Sequence, residues 1–126
     1  LANDLLGFVP KGERIIALED TPELRPLHPH FLSLQSRAAN PDGFGEITLR
    51  NILKQCLRMR PDRIVLGECR GPEVMDLLQI LNTGHRGAMA TIHANSPRDA
   101  LKRLEQALKD EPNDAQLRFL RFIDLI

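Results

Sequence analysis

Three apolar runs in this chain each end in polar groups of a kind that do chemistry. Ile15-Ile16-Ala17-Leu18 leads into Glu19-Asp20-Thr21, Ile64-Val65-Leu66 leads through Gly67 into Glu68 and Arg70, and the small-residue run 87–93 ends in His93, with Asn95 and Ser96 just beyond. A carboxylate at the tip of a buried strand is held with little entropy left to lose. Such an acid suits holding a divalent cation or polarising an attacking water, as in nucleotide hydrolysis. Gly67 removes a side chain directly before Glu68, which reads as room for a phosphate or water to approach. The competing reading of Glu68 is a structural ion pair with Arg70 or Arg58. Alone, one strand-end acid leaves the two readings level; three polar endings in one chain favour a shared site.

Those endings meet only if the runs are strands of one sheet. Strand and helix patterns alternate along the chain, which argues for an α/β sheet, and in such sheets ligands sit beyond the carboxyl ends of the strands. The pattern predicts strands over 13–20, 31–37, 63–67 and 87–93, with a Gly-rich, Asp-Gly-containing loop over 40–46. Leu49, Ile52, Leu53, Cys56 and Leu57 fall on one helical face that starts at Thr48 and is closed by Pro61. A second helix starts near Pro72, a third at Ser96-Pro97-Arg98-Asp99, and a last one spans 114–126. "LANDLLGF" reads as the end of a helix whose start lies upstream, with Gly7 as its stop.

Composition bounds the function. The 126 residues suffice for one domain with a core, and 42% hydrophobic with 27% charged residues is ordinary for a soluble globular protein. Trp and Tyr are absent and the formal net charge is zero, so neither base stacking nor a phosphate-tracking basic surface is indicated, and no direct nucleic-acid binding is expected. Arg supplies 13 of the 17 basic residues, a bias that fits anion recognition or interface pairing. Cys56 and Cys69 have no metal-ligand spacing and point to a reducing cytoplasm, Cys69 as small apolar packing. His28 and His30 lie in the Pro-rich stretch "RPLHPH" and read as loop residues. No apolar run is long enough to span a bilayer, so any membrane role is peripheral.

The quoted runs also carry a family resemblance. "RMRPDRIVLGECRGPE" followed by "LNTGHRGAMATIHANSPRDALKRLE" resembles the secretion ATPases of type II and type IV systems, most nearly the branch that powers tight-adherence (Flp-type) pilus assembly. "ERIIALEDTPEL" (13–24) is similar to that family's aspartate box, 63–73 to its atypical Walker B and 83–97 to its histidine box, with C-terminal helices over 97–126. The resemblance covers residues 1 to about 108. It implies an α/β, RecA-like P-loop NTPase of three layers, truncated at the N-terminal side, working as a homo-hexamer with ATP and Mg²⁺ held between neighbouring subunits. It further implies a cytoplasmic protein, peripheral to the inner membrane and in contact with a platform protein there.

Carried over residue by residue, the resemblance makes Glu68 the Walker B acid acting on Mg²⁺ or the water. Glu19 and Asp20 become the aspartate-box acids, with Glu19 the general base. His93 contacts the γ-phosphate side and His85 opens the same box. Arg58 matches the Arg upstream of Walker B and Arg70 the Arg after the acid, while Arg37 and Arg50 are weaker candidates for phosphate contact across a subunit boundary. One element departs from the family: no GxxxxGK[ST] phosphate loop is present, and its expected place is directly before Leu1. The expectation is therefore a partial ATPase domain, lacking the Walker A loop and N-terminal domain, with negligible hydrolysis on its own. A RecA-like DNA translocase or helicase, or a non-catalytic truncated partner, are the alternatives.

Overall fold

The apolar runs Ile15–Leu18 and Ile64–Leu66 are continuous rather than alternating, the pattern of strands covered on both faces. In the computed structural model, which describes residues 1–71, 73–82, 84 and 87–108, both lie at the centre of one parallel sheet. The helix α1 (Ala2–Gly7) precedes strand β1 (Ile15–Glu19), which is buried along its whole length. Then come β2 (Phe31–Gln35), helix α2 (Leu49–Cys56), a 3₁₀ turn (Leu57–Met59) and β3 (Arg63–Leu66). Helix α3 (Glu73–Asn82), strand β4 (Met89–Ala90) and helix α4 (Pro97–Leu108) complete the described elements. The sheet order is β2-β1-β3-β4, every pair parallel, with Leu18 level with both Leu34 and Leu66.

Helix α2 begins where its sequence dictates. Thr48 Oγ1 accepts from the Asn51 amide at 3.2 Å and Asn51 Oδ1 accepts from the Thr48 amide at 3.0 Å, a reciprocal cap. Its buried residues are Leu49, Ile52, Leu53 and Cys56, three and four apart as a single face requires. That face meets Ile16, Leu18, Ile64 and Leu66 from the sheet and Val74, Leu77 and Ile80 from α3, forming the larger core. Each fully buried Leu or Ile contributes roughly 1.5–3 kcal/mol. The opposite sheet face carries Ile15, Ala17 and Val65 under Leu6 of α1 and Leu24. At its far end α2 tightens into the 3₁₀ turn, and Arg60 takes a left-handed conformation (φ 54°) before Pro61 starts the approach to β3.

The predicted strand 87–93 is shorter than its pattern: only Met89 and Ala90 form the ladder. The cause lies in its neighbour, because β3 ends at Leu66 and leaves Gly67 onward nothing regular to pair. Pairing continues as single bonds, the Thr91 amide donating to Leu66 O at 3.2 Å and the Cys69 amide to Thr91 O at 2.8 Å. At the other end Gly87 packs so closely that a Cβ there would lie 2.6 Å from the Asp62 carbonyl oxygen. The predicted helix over 114–126 lies outside the described residues, as does Pro72.

Candidate functional site

Parallel strands put all their carboxyl ends on one edge, so the three polar endings converge. Glu19 closes β1, and Glu68 follows β3 with only Gly67 between. His93 follows the Thr91 pairing beside it. A cavity of about 380 Å³ opens between them, lined by Glu19, Asp20, Glu68, Arg70, Thr91 and His93. Glu68 Oε2 accepts a short hydrogen bond from the Arg70 guanidinium and lies 4.0 Å from His93 Nε2. The hydrogen bond from Arg70 holds the Glu68 carboxyl below the ordinary 4.5, with the charges of Arg70, His93 and Arg103 acting the same way. The ionised form of Glu68 is thereby favoured.

Glu19 is employed differently. Its carboxylate is 2% exposed and accepts three hydrogen bonds: from the amides of Glu23 and Leu24 at 2.8 and 2.9 Å on Oε1, and from Ser33 Oγ at 2.9 Å on Oε2. It thus ties β1 to β2 and to the loop 20–24. Asp20 is exposed and accepts from Ser36 Oγ at 2.6 Å. The sequence reading of Gly67 as space for a phosphate or water is corrected here. A Cβ at Gly67 would lie 2.8 Å from Glu19 Cγ and 3.4 Å from Leu18 O, so the missing side chain makes room for Glu19 itself.

A family model described as "Type II/IV secretion system protein" matches residues 1–113. The chain belongs to that family. Its RecA-like α/β fold is shared by the VirB11 ATPase from the Brucella suis type IV secretion system, solved in complex with sulphate. That likeness has a TM-score of 0.73 and 31% identity, and covers 91% of this chain and 33% of that one. Protein VirB11 of Agrobacterium fabrum is 36% identical over 127 residues, 100% of this chain and 36% of its own length. A putative conjugal transfer protein of Mycobacterium tuberculosis is 54% identical over 101 residues, 80% of this chain and 29% of that protein. This secretion-family chain thus spans about a third of the length of these relatives.

Within the family chain, the expected site residues sort into three groups. Glu19, Asp20, Glu68, Arg70 and His93 share the cavity just described. Arg37, Arg50 and Arg70 line a neighbouring groove of about 1280 Å³ above β2 and the start of α2. There Arg37 Nε donates to Gly45 O at 2.8 Å, and Arg50 Nε lies 2.5 Å from Asp76 Oδ2, joining α2 to α3. Arg58 is not brought to either. It is exposed on the 3₁₀ turn whose Met59 carbonyl accepts from Arg14 at 2.7 Å, at the amino-terminal edge of the sheet. The competing ion pair of Glu68 with Arg58 is therefore ruled out by position. His85 lies outside the described residues.

One residue was missed. Glu73, at the start of α3, is 8% exposed, and its Oε1 accepts from the amides of Arg70 and Gly71, both at 2.7 Å. The only sequence signal was a carboxylate three residues past Arg70, which reads equally well as an ordinary first-turn acid. Of the two histidines in the Pro-rich loop, His28 ties the loop together: its Nδ1 accepts from the His30 amide at 3.2 Å, and its Nε2 faces Pro10 O at 3.1 Å.

Proposed function

We propose that the chain forms the acid-and-histidine side of an ATP site in a secretion motor, with Glu68 as its catalytic acid. The observation that carries this reading is Glu68 itself: favoured in its ionised form, at the carboxyl end of a central strand, beside Arg70 and His93 over an open cavity, in a chain of the type II/IV secretion system family. Among the described residues no cluster of three His, Cys, Asp or Glu could hold a bare metal ion. The donor set instead suits Mg²⁺ arriving with a nucleotide, since that ion keeps several waters and is bound by one or two carboxylates plus phosphate oxygens. When bound, MgATP supplies the transferable phosphoryl group and the charge that Mg²⁺ neutralises.

The residues divide the work by their surroundings. Glu68 would offer one carboxylate oxygen to the ion or its water, while Arg70 occupies the other. Arg70, with its side chain largely exposed, is suited to turn from Glu68 toward phosphate oxygens. His93, mostly exposed and facing Glu68, is placed to meet the γ-phosphate side. Asp20 is the open acid of the aspartate box. Glu19, with both oxygens engaged, acts as a base only by releasing the Ser33 hydroxyl, so its first contribution is to hold the box in register. Arg37 and Arg50 border the groove that a neighbouring subunit's nucleotide would approach, and Arg58 stands exposed at the far edge.

In the cell this secretion ATPase would work as a homo-hexamer at the cytoplasmic face of the inner membrane, against a platform protein. Its finer branch is tight-adherence pilus assembly, the one its boxes resemble. No described helix is long and apolar enough to cross a membrane. The test is steady-state phosphate release by the full-length protein with and without Glu68→Gln. The expected loss is about 10²–10³-fold in kcat with MgATP binding retained. Hydrolysis that survives the substitution would sink the assignment of Glu68.

A further inference from the structure

Glu68 sits in an irregular stretch, 67–71, between the end of β3 and the start of α3, and its orientation depends on what fixes that stretch. Three attachments come from the sheet side: the Gly67 amide donates to Leu18 O at 2.8 Å, the Cys69 amide to Thr91 O at 2.8 Å, and the Gly67 carbonyl accepts a short hydrogen bond from Thr91 Oγ1. The Gly71 carbonyl accepts from the Val74 amide at 3.2 Å, but the last two amides of the stretch, those of Arg70 and Gly71, are held by one side chain. Glu73 Oε1 receives both the Arg70 and Gly71 amides.

Glu73 makes the backward bond of a helix cap, as Asn51 does to the Thr48 amide at α2, and adds a second amide to it. At α4, Ser96 Oγ accepts from the Asp99 amide three residues ahead, satisfying the helix's own first turn. Glu73 reaches backward instead, to amides that precede α3. Glu19 and Glu73 are the two buried charged residues among those described, and each grips two successive backbone amides beside the cavity. A buried carboxylate is tolerated when strong hydrogen bonds replace its water, and charge-assisted bonds to backbone amides do so.

We propose that Glu73 is a positioning residue for the ATP chemistry: by accepting the Arg70 and Gly71 amides it sets the Arg70 side chain on Glu68 and the Glu68 carboxylate over the cavity. The inference rests on the ATPase reading above for its kinetic consequence, while the holding of the loop stands on geometry alone. Because the acceptor atom does the work, the charge is dispensable. The substitution Glu73→Gln keeps an oxygen at the same reach; Glu73→Met fills the same volume with no comparable acceptor.

The experiment compares these two variants with the parent in the full-length protein, by amide hydrogen exchange and by steady-state kinetics with MgATP. Glu73→Met is expected to speed exchange at Arg70 and Gly71 by about tenfold or more, leaving the amides of β1 and β3 protected. Its kcat is expected to fall about 10–100-fold, the usual cost of losing an orienting partner, with KM within about threefold. Glu73→Gln should retain most of both properties. Buried Cys56 in α2 serves as the fold control, since it reacts with a thiol reagent only if the core opens. Unchanged exchange at 70 and 71 in the Met variant overturns the proposal, as does a Gln variant as impaired as Met, or a KM effect with kcat intact. A parent protein that hydrolyses no ATP overturns the ATPase reading instead, and the exchange arm then still decides whether Glu73 holds the loop.

Discussion

Glu68 and Arg70 form a pair whose charge state can be followed directly. The folded carboxyl titrates below the ordinary 4.5, chiefly because of the hydrogen bond from Arg70, so the pair contributes to stability above the unfolded value and is lost as pH falls through the lower folded one. An NMR titration of the Glu68 side chain should show that depressed midpoint, and Arg70→Ala should return it toward 4.5. Gly67→Ala should destabilise the fold by about 1–3 kcal/mol in urea denaturation, because the new methyl meets Glu19 Cγ with Leu18 O behind it. A variant as stable as the parent would refute that account of the glycine. At this scale the acid was legible in the sequence, since it followed an apolar run. The roles of Gly67 and Glu73 were not: what faces a missing Cβ depends on the β1–β3 register, and what faces a carboxylate oxygen depends on how a loop turns.

Among the elements, those with unambiguous patterns were the easiest to read. β1 and β3 announced themselves as unbroken apolar runs, and α2 by its periodic face and its Thr48 start. Thr48→Ala should cost about 1 kcal/mol by removing one half of the reciprocal cap, measured by thermal or chemical unfolding. Leu53→Ala, at a side chain with no exposure, should cost about 2–5 kcal/mol in the same assay. β4 was overestimated because Gly, Ala and Thr fit a strand pattern without enforcing one. Its extent is limited by β3, which stops at Leu66.

For the molecule as a whole, an all-parallel sheet sorts residues by end. That topology gathers Glu19, Glu68 and His93 from distant parts of the chain and sends Arg58 to the opposite edge. The alternation of strands and helices made the gathering foreseeable; the position of Arg58 was hidden because a turn's place is set by the direction of the helix before it. The two thiols report on the same packing. Burial pushes Cys56 from 9.0 up to about 11 and Cys69 up to about 12, the latter helped by Glu73 and Glu68. The unfolded chain therefore loses these protons first, so stability holds below pH 9 and declines as pH rises toward 11 and 12. Urea midpoints measured across that range should fall, and a double Cys→Ala variant should show a flatter decline.

The notch at Gly67 and the Cγ of Glu19 that fills it have a consequence for how substitutions at the two positions combine. Each residue occupies volume the other would need, so neither can be judged alone. A library randomising position 19 or position 67 singly would score both as intolerant. One that varies them together should recover pairs with a shorter side chain at 19 facing alanine at 67, and the two sites would then be inherited as a unit.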